Sequence, residues 1–202
     1  MKRREGITTK RINLLLSGGI DSTALLSYYK DDGFDVRAYF IHYGHVSNDI
    51  EYEHAKDVSH YYNTTLNLLR FAGTKYSDNW EITGRNAFLI LSVLMAIQSD
   101  SGIISAGIHK GSNYYDCNED FLHSIKNIVD GYTSGRVQLD FPFIRMTKNE
   151  IVAYSEMHGI PIKDTYSCQK GTKIPCGKCP SCLERNSAIE GAKEIKKAAK
   201  KI

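Results

Sequence analysis

The chain has no apolar run long enough to cross a bilayer. Its longest apolar stretch, Ala87 to Ile97, falls well short of the ~20 residues that a spanning helix needs. Charge of one sign is also scarce. The 26 basic and 23 acidic residues leave a formal net charge of +3, so electrostatics alone do not compel a nucleic-acid partner. The string Gly-x-x-x-x-Gly-Lys-Ser/Thr is absent, which excludes the common loop for the outer phosphates of nucleoside triphosphates. No signal-type apolar stretch follows the basic Lys2-Arg3-Arg4, so the expected location is the cytoplasm and no membrane partner is expected. Thiols stay reduced there, and clustered cysteines read as metal ligands before they read as disulfides. The 202 residues, 42% of them hydrophobic, suffice for one domain with a sizeable core plus an appendage.

The segment Asn13-Leu14-Leu15-Leu16-Ser17-Gly18-Gly19-Ile20-Asp21-Ser22-Thr23 carries the strongest signal. A strand-type apolar run ends abruptly in Ser-Gly-Gly, and an amphipathic helix begins near Asp21. Two glycines let the main chain approach a ligand closely. The helix start supplies unpaired N–H groups and a positive dipole end, which together favour a phosphate. Ser17, Asp21 and Ser22 add polar side chains at the same point. The competing reading is a tight strand-to-helix turn with a serine cap.

Strand-like runs lie at about 12–16, 36–41, 66–69, 102–106 and 137–143, with helical patterns between them. The helix from Asp21 stops at Asp31-Asp32-Gly33. A second covers about 50–62, and a third, about 85–99, is apolar nearly all round and is expected to be buried. A fourth spans about 117–130. A fifth opens with Thr147-Lys148-Asn149-Glu150, which has capping-box spacing, and ends before Gly159. This alternation predicts a doubly wound α/β fold of Rossmann type, a parallel sheet with helices on both faces. Ligands then bind at the C-terminal ends of the strands. The boundary between an ATP-binding domain, 1–162, and a loop-rich metal knuckle with a terminal helix, 163–202, is set near residue 163.

Cys168, Cys176, Cys179 and Cys182 are spaced C-x7-C-x2-C-x2-C among Gly171, Pro175, Gly177 and Pro180. Four thiolates close the shell of a structural zinc ion. An iron–sulfur cluster also suits four thiolates, whereas a redox dithiol needs only two. Cys117 stands apart and reads as a small buried apolar residue. His42, His45, His54 and His60 form no clear ligand set and read as solvated.

Taken together, these residues resemble the 7-cyano-7-deazaguanine synthase family, a branch of the pyrophosphate-loop ATPases. Leu16 to Thr23 looks like its nucleotide loop. Tyr43-Gly44-His45 with Glu51 or Glu53 looks like its second motif, and Gly84-Arg85-Asn86 like its entry to helix three. Tyr114 to Phe121 looks like its Tyr-Pro-Asp-Cys-x-x-Glu-Phe, and Ser167-Cys168 through Arg185 like its zinc segment. The resemblance spans about residues 12–190.

The resemblance implies an AMP-forming carbon–nitrogen ligase of queuosine biosynthesis that uses ATP, Mg²⁺ and Zn²⁺. Its small-molecule partners would be 7-carboxy-7-deazaguanine and ammonia, and the enzyme would be a homodimer. Ser17, Gly18, Gly19, Asp21 and Ser22 would hold pyrophosphate, with Leu16 beside them and Asp21 reaching Mg²⁺ through water. The end of the second strand, Phe40 through His42 to Tyr43, would lie near adenine. Gly84 would open helix three, with Arg85 on the α-phosphate or the substrate carboxylate. Asn86 would contact the ligand or cap that helix, and Asp116 would take the guanidine-like edge of the deazaguanine or cap the helix from 117.

The chain departs from the family pattern. Lys110 falls where an acidic residue is usual, Tyr115 replaces proline, Phe143 replaces leucine, and Gln169 stands where an aromatic residue follows the first cysteine. These changes leave open a second outcome, in which a relative from a bacterial or phage defence or modification system passes the activated acyl group to a protein or nucleic-acid amine. The lysine-rich tail from Lys193 reads as an amphipathic helix with a solvated basic face.

Overall fold

In the strands, side chains alternate between two faces, and this period of two sorts the core into two layers. The computed structural model describes residues 11–72, 82–98, 101–111 and 114–199. β1 (Arg11–Leu15), β2 (Asp35–His42), β3 (Thr65–Arg70), β4 (Gly102–Ser105) and β5 (Val137–Asp140) form one parallel sheet in the order β3-β2-β1-β4-β5. Ile12, Leu14, Val36, Ala38, Phe40 and Ile103 face one layer, while Leu15, Tyr39, Ile41 and Ile104 face the other. Burial on both faces explains why these strands read as continuous apolar runs in the sequence.

The first layer holds α1 (Ile20–Asp31), α2 (Asn48–Tyr61), α5 (Lys148–Met157) and α6 (Pro180–Ala199). Ala24, Leu25, Ala55, Ile151, Val152, Ala188 and Ala192 are among the helix positions buried in it. The second holds α3 (Arg85–Ile97) and α4 (Glu119–Thr133), through Ile90, Val93, Phe121, Ile125 and Val129. None of the described helices is long and apolar enough to cross a membrane.

The expectation that α3 is buried all round is corrected. Only one side of the helix meets the sheet; Phe88 is 37% and Met95 61% exposed on the other. The helix expected from 117 begins instead at Glu119. A 3-10 turn over Tyr115–Cys117 precedes it, and Asn118 Oδ1 accepts the Phe121 N–H at 2.8 Å as its cap. α5 does open on the expected capping box: Glu150 N donates to Thr147 Oγ1, and Thr147 N donates to Glu150 Oε2 at 2.7 Å.

The strand order reverses direction between β1 and β4, and a crevice opens there beyond their C-terminal ends. Gly107, just after β4, lies so close to α1 that a Cβ on it would stand 2.9 Å from Asp21 Cβ. The switch point and the start of α1 are therefore one place.

Candidate functional site

The Ser17-Gly18-Gly19 turn folds on itself through two hydroxyls. Ser17 N donates to Ser22 Oγ at 3.2 Å, the two serine oxygens lie 3.1 Å apart, and Gly19 N donates to Ser17 Oγ at 3.3 Å. Gly18 has φ +77°, a left-handed conformation that disfavours any side chain. A Cβ there would also stand 2.8 Å from Ala55 N and Glu51 O, both backbone atoms of α2. Glycine is thus required twice over, by φ and by the close approach of α2.

This turn forms the floor of a cleft of about 680 Å³. Leu16, Ser17, Gly19, Asp21 and Ser22 line one side, and Phe40 and Tyr43 come from the end of β2. Arg85 and Asn86 come from α3, His109 from beyond β4 and Lys148 from α5; Tyr166, Gln169 and Glu184 close the C-terminal side. Gly18, His42, Gly84 and Asp116 stand outside this wall. Gly18 lies behind it against α2. His42 turns away, its Nε2 3.0 Å from Asp49 Oδ1. Gly84 is the left-handed N-cap of α3. Asp116 Oδ2 accepts the Asn86 N–H at 3.0 Å, and its carbonyl accepts Asn86 Nδ2 at 2.9 Å. The Asp116 carboxylate therefore sits on the N-terminus of α3, where the helix dipole favours it, and it anchors the turn that carries Arg85.

Lys148 is the principal cleft residue that sequence reasoning missed. Its ammonium pairs with Asp21 Oδ2, and His109 Nε2 lies 3.9 Å from the same oxygen. Lys148 and Asp21 are only 13% and 20% exposed. A lysine on the first turn of a helix opposes the dipole, and that mismatch was a signal available in Thr147-Lys148-Asn149-Glu150. Two buried cleft oxygens have no hydrogen-bond partner among the described residues, Asp21 Oδ1 and Gln169 Oε1. Buried polar atoms are rarely left so, and both suit a ligand.

Cys117 is half-buried and also reaches the cleft wall, where its thiol lies 3.6 Å from Asn86 Nδ2. Three of the histidines expected to be solvated are tied down. Besides His42, His45 Nδ1 lies 2.7 Å from Ser47 Oγ, whose hydroxyl donates to Glu51 Oε1 at 2.8 Å, and burial lowers the His45 pKa. His54 stacks on Tyr166 with centroids 5.2 Å apart, and its Nδ1 lies 2.7 Å from the Asp164 carbonyl.

Beside the cleft, the ligand atoms of Cys168, Cys176, Cys179 and Cys182 all lie within 4.8 Å of one another. Sulfurs around one zinc ion, each about 2.3 Å from it, stand about 3.8 Å apart. The set therefore suits a single tetrahedral ion; thiolates that each hold a separate iron of a cluster stand farther apart. Backbone N–H groups support the sulfurs: Cys176 N donates to Cys168 Sγ and Cys179 N to Cys176 Sγ, both at 3.4 Å. Burial works to raise the Cys168 thiol, but N–H donors from Cys176 and Lys170 outweigh it and bring the pKa down to about 6. Cys182, buried among the other sulfurs, is pushed up to about 12. Four sulfurs converging in a partly buried setting, with N–H donors that favour the charged form of Cys168, suit a cation.

The sequence matches the family model described as Queuosine biosynthesis protein QueC over residues 11–78 and 70–193. It is 30% identical to a 7-cyano-7-deazaguanine synthase of a Sulfurihydrogenibium species, over 89% of this chain and 94% of that protein. It is 29% identical to the enzyme of the same name from Methanothermobacter thermautotrophicus, over 87% of this chain and 92% of that one. Among solved structures, an NH3-dependent NAD synthetase from Campylobacter jejuni has the same fold, with a TM-score of 0.50 and 21% identity over 94% of this chain and 85% of the other. The matched residues include the phosphate-type loop, the cleft wall and the cysteine cage together, and the chain belongs to the QueC family of queuosine biosynthesis proteins.

Proposed function

We propose that this protein activates 7-carboxy-7-deazaguanine with ATP and converts it, with ammonia, to 7-cyano-7-deazaguanine. The observation that carries this reading is the Ser-Gly-Gly turn opening α1 into a cleft whose buried Asp21 Oδ1 has no partner among the described residues, in a chain whose relatives bear that synthase name.

The chemistry asks for positioning and charge control. A carboxylate oxygen of the substrate attacks the α-phosphorus of ATP, the bond to pyrophosphate breaks, and an acyl adenylate forms. Ammonia attacks the acyl carbon, loses a proton and expels AMP, leaving the amide. The amide oxygen then attacks the α-phosphorus of a second ATP and displaces a second pyrophosphate, and loss of AMP and two protons from the adenylated amide yields the nitrile. In this reading the loop N–H groups and the Ser17 and Ser22 hydroxyls hold the leaving pyrophosphate, and Lys148 offsets its charge. Arg85, steadied through Asn86 by Asp116, meets the α-phosphate or the substrate carboxylate. The end of β2 at Phe40 and Tyr43 receives adenine, and Gln169 Oε1 accepts an N–H from the deazaguanine. The buried Asp21 Oδ1, unpartnered among the described residues, would suit a water-sheathed Mg²⁺, which when bound would screen the phosphate charge. The cysteine cage fits zinc in a structural role.

Mass spectrometry of the products from ATP, Mg²⁺, 7-carboxy-7-deazaguanine and ammonium tests the reading. A nitrile with two AMP per turnover is expected. An adenylate or amide that goes no further would favour transfer to a macromolecular amine, the outcome to which the Gln169 and Tyr115 departures point. No AMP at all would overturn the substrate assignment.

A further inference from the structure

The segment between α5 and the first metal-type cysteine bonds to the phosphate-type loop and packs on the cysteine cage, both through Tyr166. Tyr166 N donates to Gly18 O at 2.9 Å, and Tyr166 O lies 3.4 Å from where a Cβ on Gly19 would be. The Tyr166 ring packs with Cys168, Cys179 and Cys182. Its hydroxyl donates to Thr172 O at 2.7 Å, and the Thr172 hydroxyl is 3.8 Å from Cys168 Sγ. From α6, three residues after Cys182, Arg185 donates to Thr165 Oγ1 at 2.7 Å, Ser167 Oγ at 3.3 Å and Ile162 O at 2.6 Å. Burial lowers the pKa of this guanidinium, so its bonds to the segment are made largely away from water, where they count for more.

The geometry points to a strap, residues 162–168, through which the metal held by the four cysteines positions the nucleotide loop. Arg185 and Tyr166 are its positioning residues. The reasons are mechanical. Gly18 is fixed on its other side by the backbone of α2, where a Cβ would stand 2.8 Å from Ala55 N. From this side the turn is held by the Tyr166 N–H, two residues from Cys168. A cage drawn onto one ion fixes Cys168 and, through Cys182, the start of α6, from whose second turn Arg185 reaches back. A cage without the ion frees both ends of the strap. Coupling of this kind is reciprocal: if metal tightens nucleotide binding, nucleotide must tighten the metal site by the same factor.

The inference rests on the pyrophosphate-loop reading above, and its experiment separates the two. The probe is α,β-methylene-ATP with excess Mg²⁺, and the readouts are calorimetry and the sulfur-to-metal charge-transfer band of the protein loaded with Co²⁺ in place of its native metal. Three results are expected. The analogue perturbs the Co²⁺ band although it does not touch the cysteines. Arg185→Met, and separately Thr165→Val, which removes one of the arginine's acceptors at nearly constant volume, weaken analogue binding at least about fivefold. Both variants keep one metal per chain and lose the band shift, and in turnover KM for ATP rises while kcat changes less. Arg185 and Thr165 lie outside the cleft wall, so a direct contact with nucleotide does not explain such a change. Analogue binding that is unchanged in both variants, with no band shift in the parent, overturns the strap and leaves the loop assignment intact. No analogue binding to the metal-loaded parent overturns both.

Discussion

Lys148, on the first turn of α5, forms an ion pair with Asp21, on the first turn of α1, across 127 residues of chain. Each charge sits in the first turn of its helix, and only that of Asp21 suits the helix dipole. In the proposed function, a nucleotide that brings phosphates and a cation would offer each partner of this pair a new counterion. Lys148→Met is expected to slow AMP formation by roughly two orders of magnitude, the scale of losing one charge-stabilising group at a reacting centre. It should also destabilise the fold by about 1–3 kcal/mol, because Asp21 is left largely buried with only His109, at 3.9 Å, beside it. Rapid-quench measurement of AMP and urea melts read the two effects separately. A rate within threefold of the parent removes Lys148 from the machinery.

Gly18→Ala tests the close approach of the loop to α2. The alanine carries the cost of a left-handed backbone, about 1–2 kcal/mol, and sets a methyl against Ala55 N and Glu51 O, which cannot rotate away. Gly135→Ala is the control, since Gly135 has φ +76° with nothing within 4 Å of its added Cβ. Gly135→Ala should lose stability from the strain alone, and Gly18→Ala should lose more because of the added contact with α2. Only Gly18→Ala should lose nucleotide affinity, by more than tenfold in calorimetry. Equal affinities in the two variants would show that the loop tolerates displacement.

The sheet was legible in the sequence because parallel strands buried on both sides leave unbroken apolar runs. Runs expected at 12–16, 36–41 and 66–69 appear as Arg11–Leu15, Asp35–His42 and Thr65–Arg70. The glycine turn and the cysteine spacing were legible because both are local. The burial of α3 was not, because its composition says how apolar the helix is, not how many sides the sheet offers it. Lys148, His109 and Tyr166 reach the cleft from segments far apart in sequence, and only the strand order β1-β4 and the return of the chain after α5 bring them together. The family resemblance put Asp116, and the end of the second strand put His42, near a ligand; each instead bonds a local partner, Asn86 and Asp49, and neither lines the cleft.

Cys179→Ala opens the cage at a buried position. The three sulfurs left can still hold an ion weakly, so metal content measured by plasma mass spectrometry should fall below one per chain after dialysis against a mild chelator. The melting temperature should fall with it, since metal binding and folding are linked. Full metal content with unchanged melting would remove the structural role.

Alkaline stability is expected to depend on Tyr154. Burial, with Asp31 nearby, pushes its phenol up to about 12 from an ordinary 10. Between these values the unfolded chain releases a proton that the folded chain keeps, so the unfolded state binds fewer protons and stability falls as pH rises. The contribution is complete below about pH 10 and is lost as pH climbs toward 12. Tyr154→Phe should melt at a temperature that declines less steeply over that window. Parallel declines for the two proteins would assign the alkaline loss to other groups, among them Tyr62 and Tyr166, whose phenols burial also raises.

Gln169 gives a prediction with opposite signs for stability and affinity. Its Oε1 is buried in the cleft wall without a partner, so the ligand-free protein bears the cost of a desolvated acceptor, about 1–3 kcal/mol. Gln169→Met keeps the length and volume of the side chain and removes that acceptor. The ligand-free variant should therefore be as stable as the parent or more so. Its affinity for 7-carboxy-7-deazaguanine should fall about tenfold or more, because the bound heterocycle's N–H is left unpaired. Affinity for the ATP analogue should stay the same if the oxygen serves the deazaguanine and not adenine. Thermal melts and calorimetry with each ligand decide the matter. A fall in ATP-analogue affinity alone would move Gln169 to the nucleotide side of the cleft, and no fall for either ligand would mean that the oxygen meets only water.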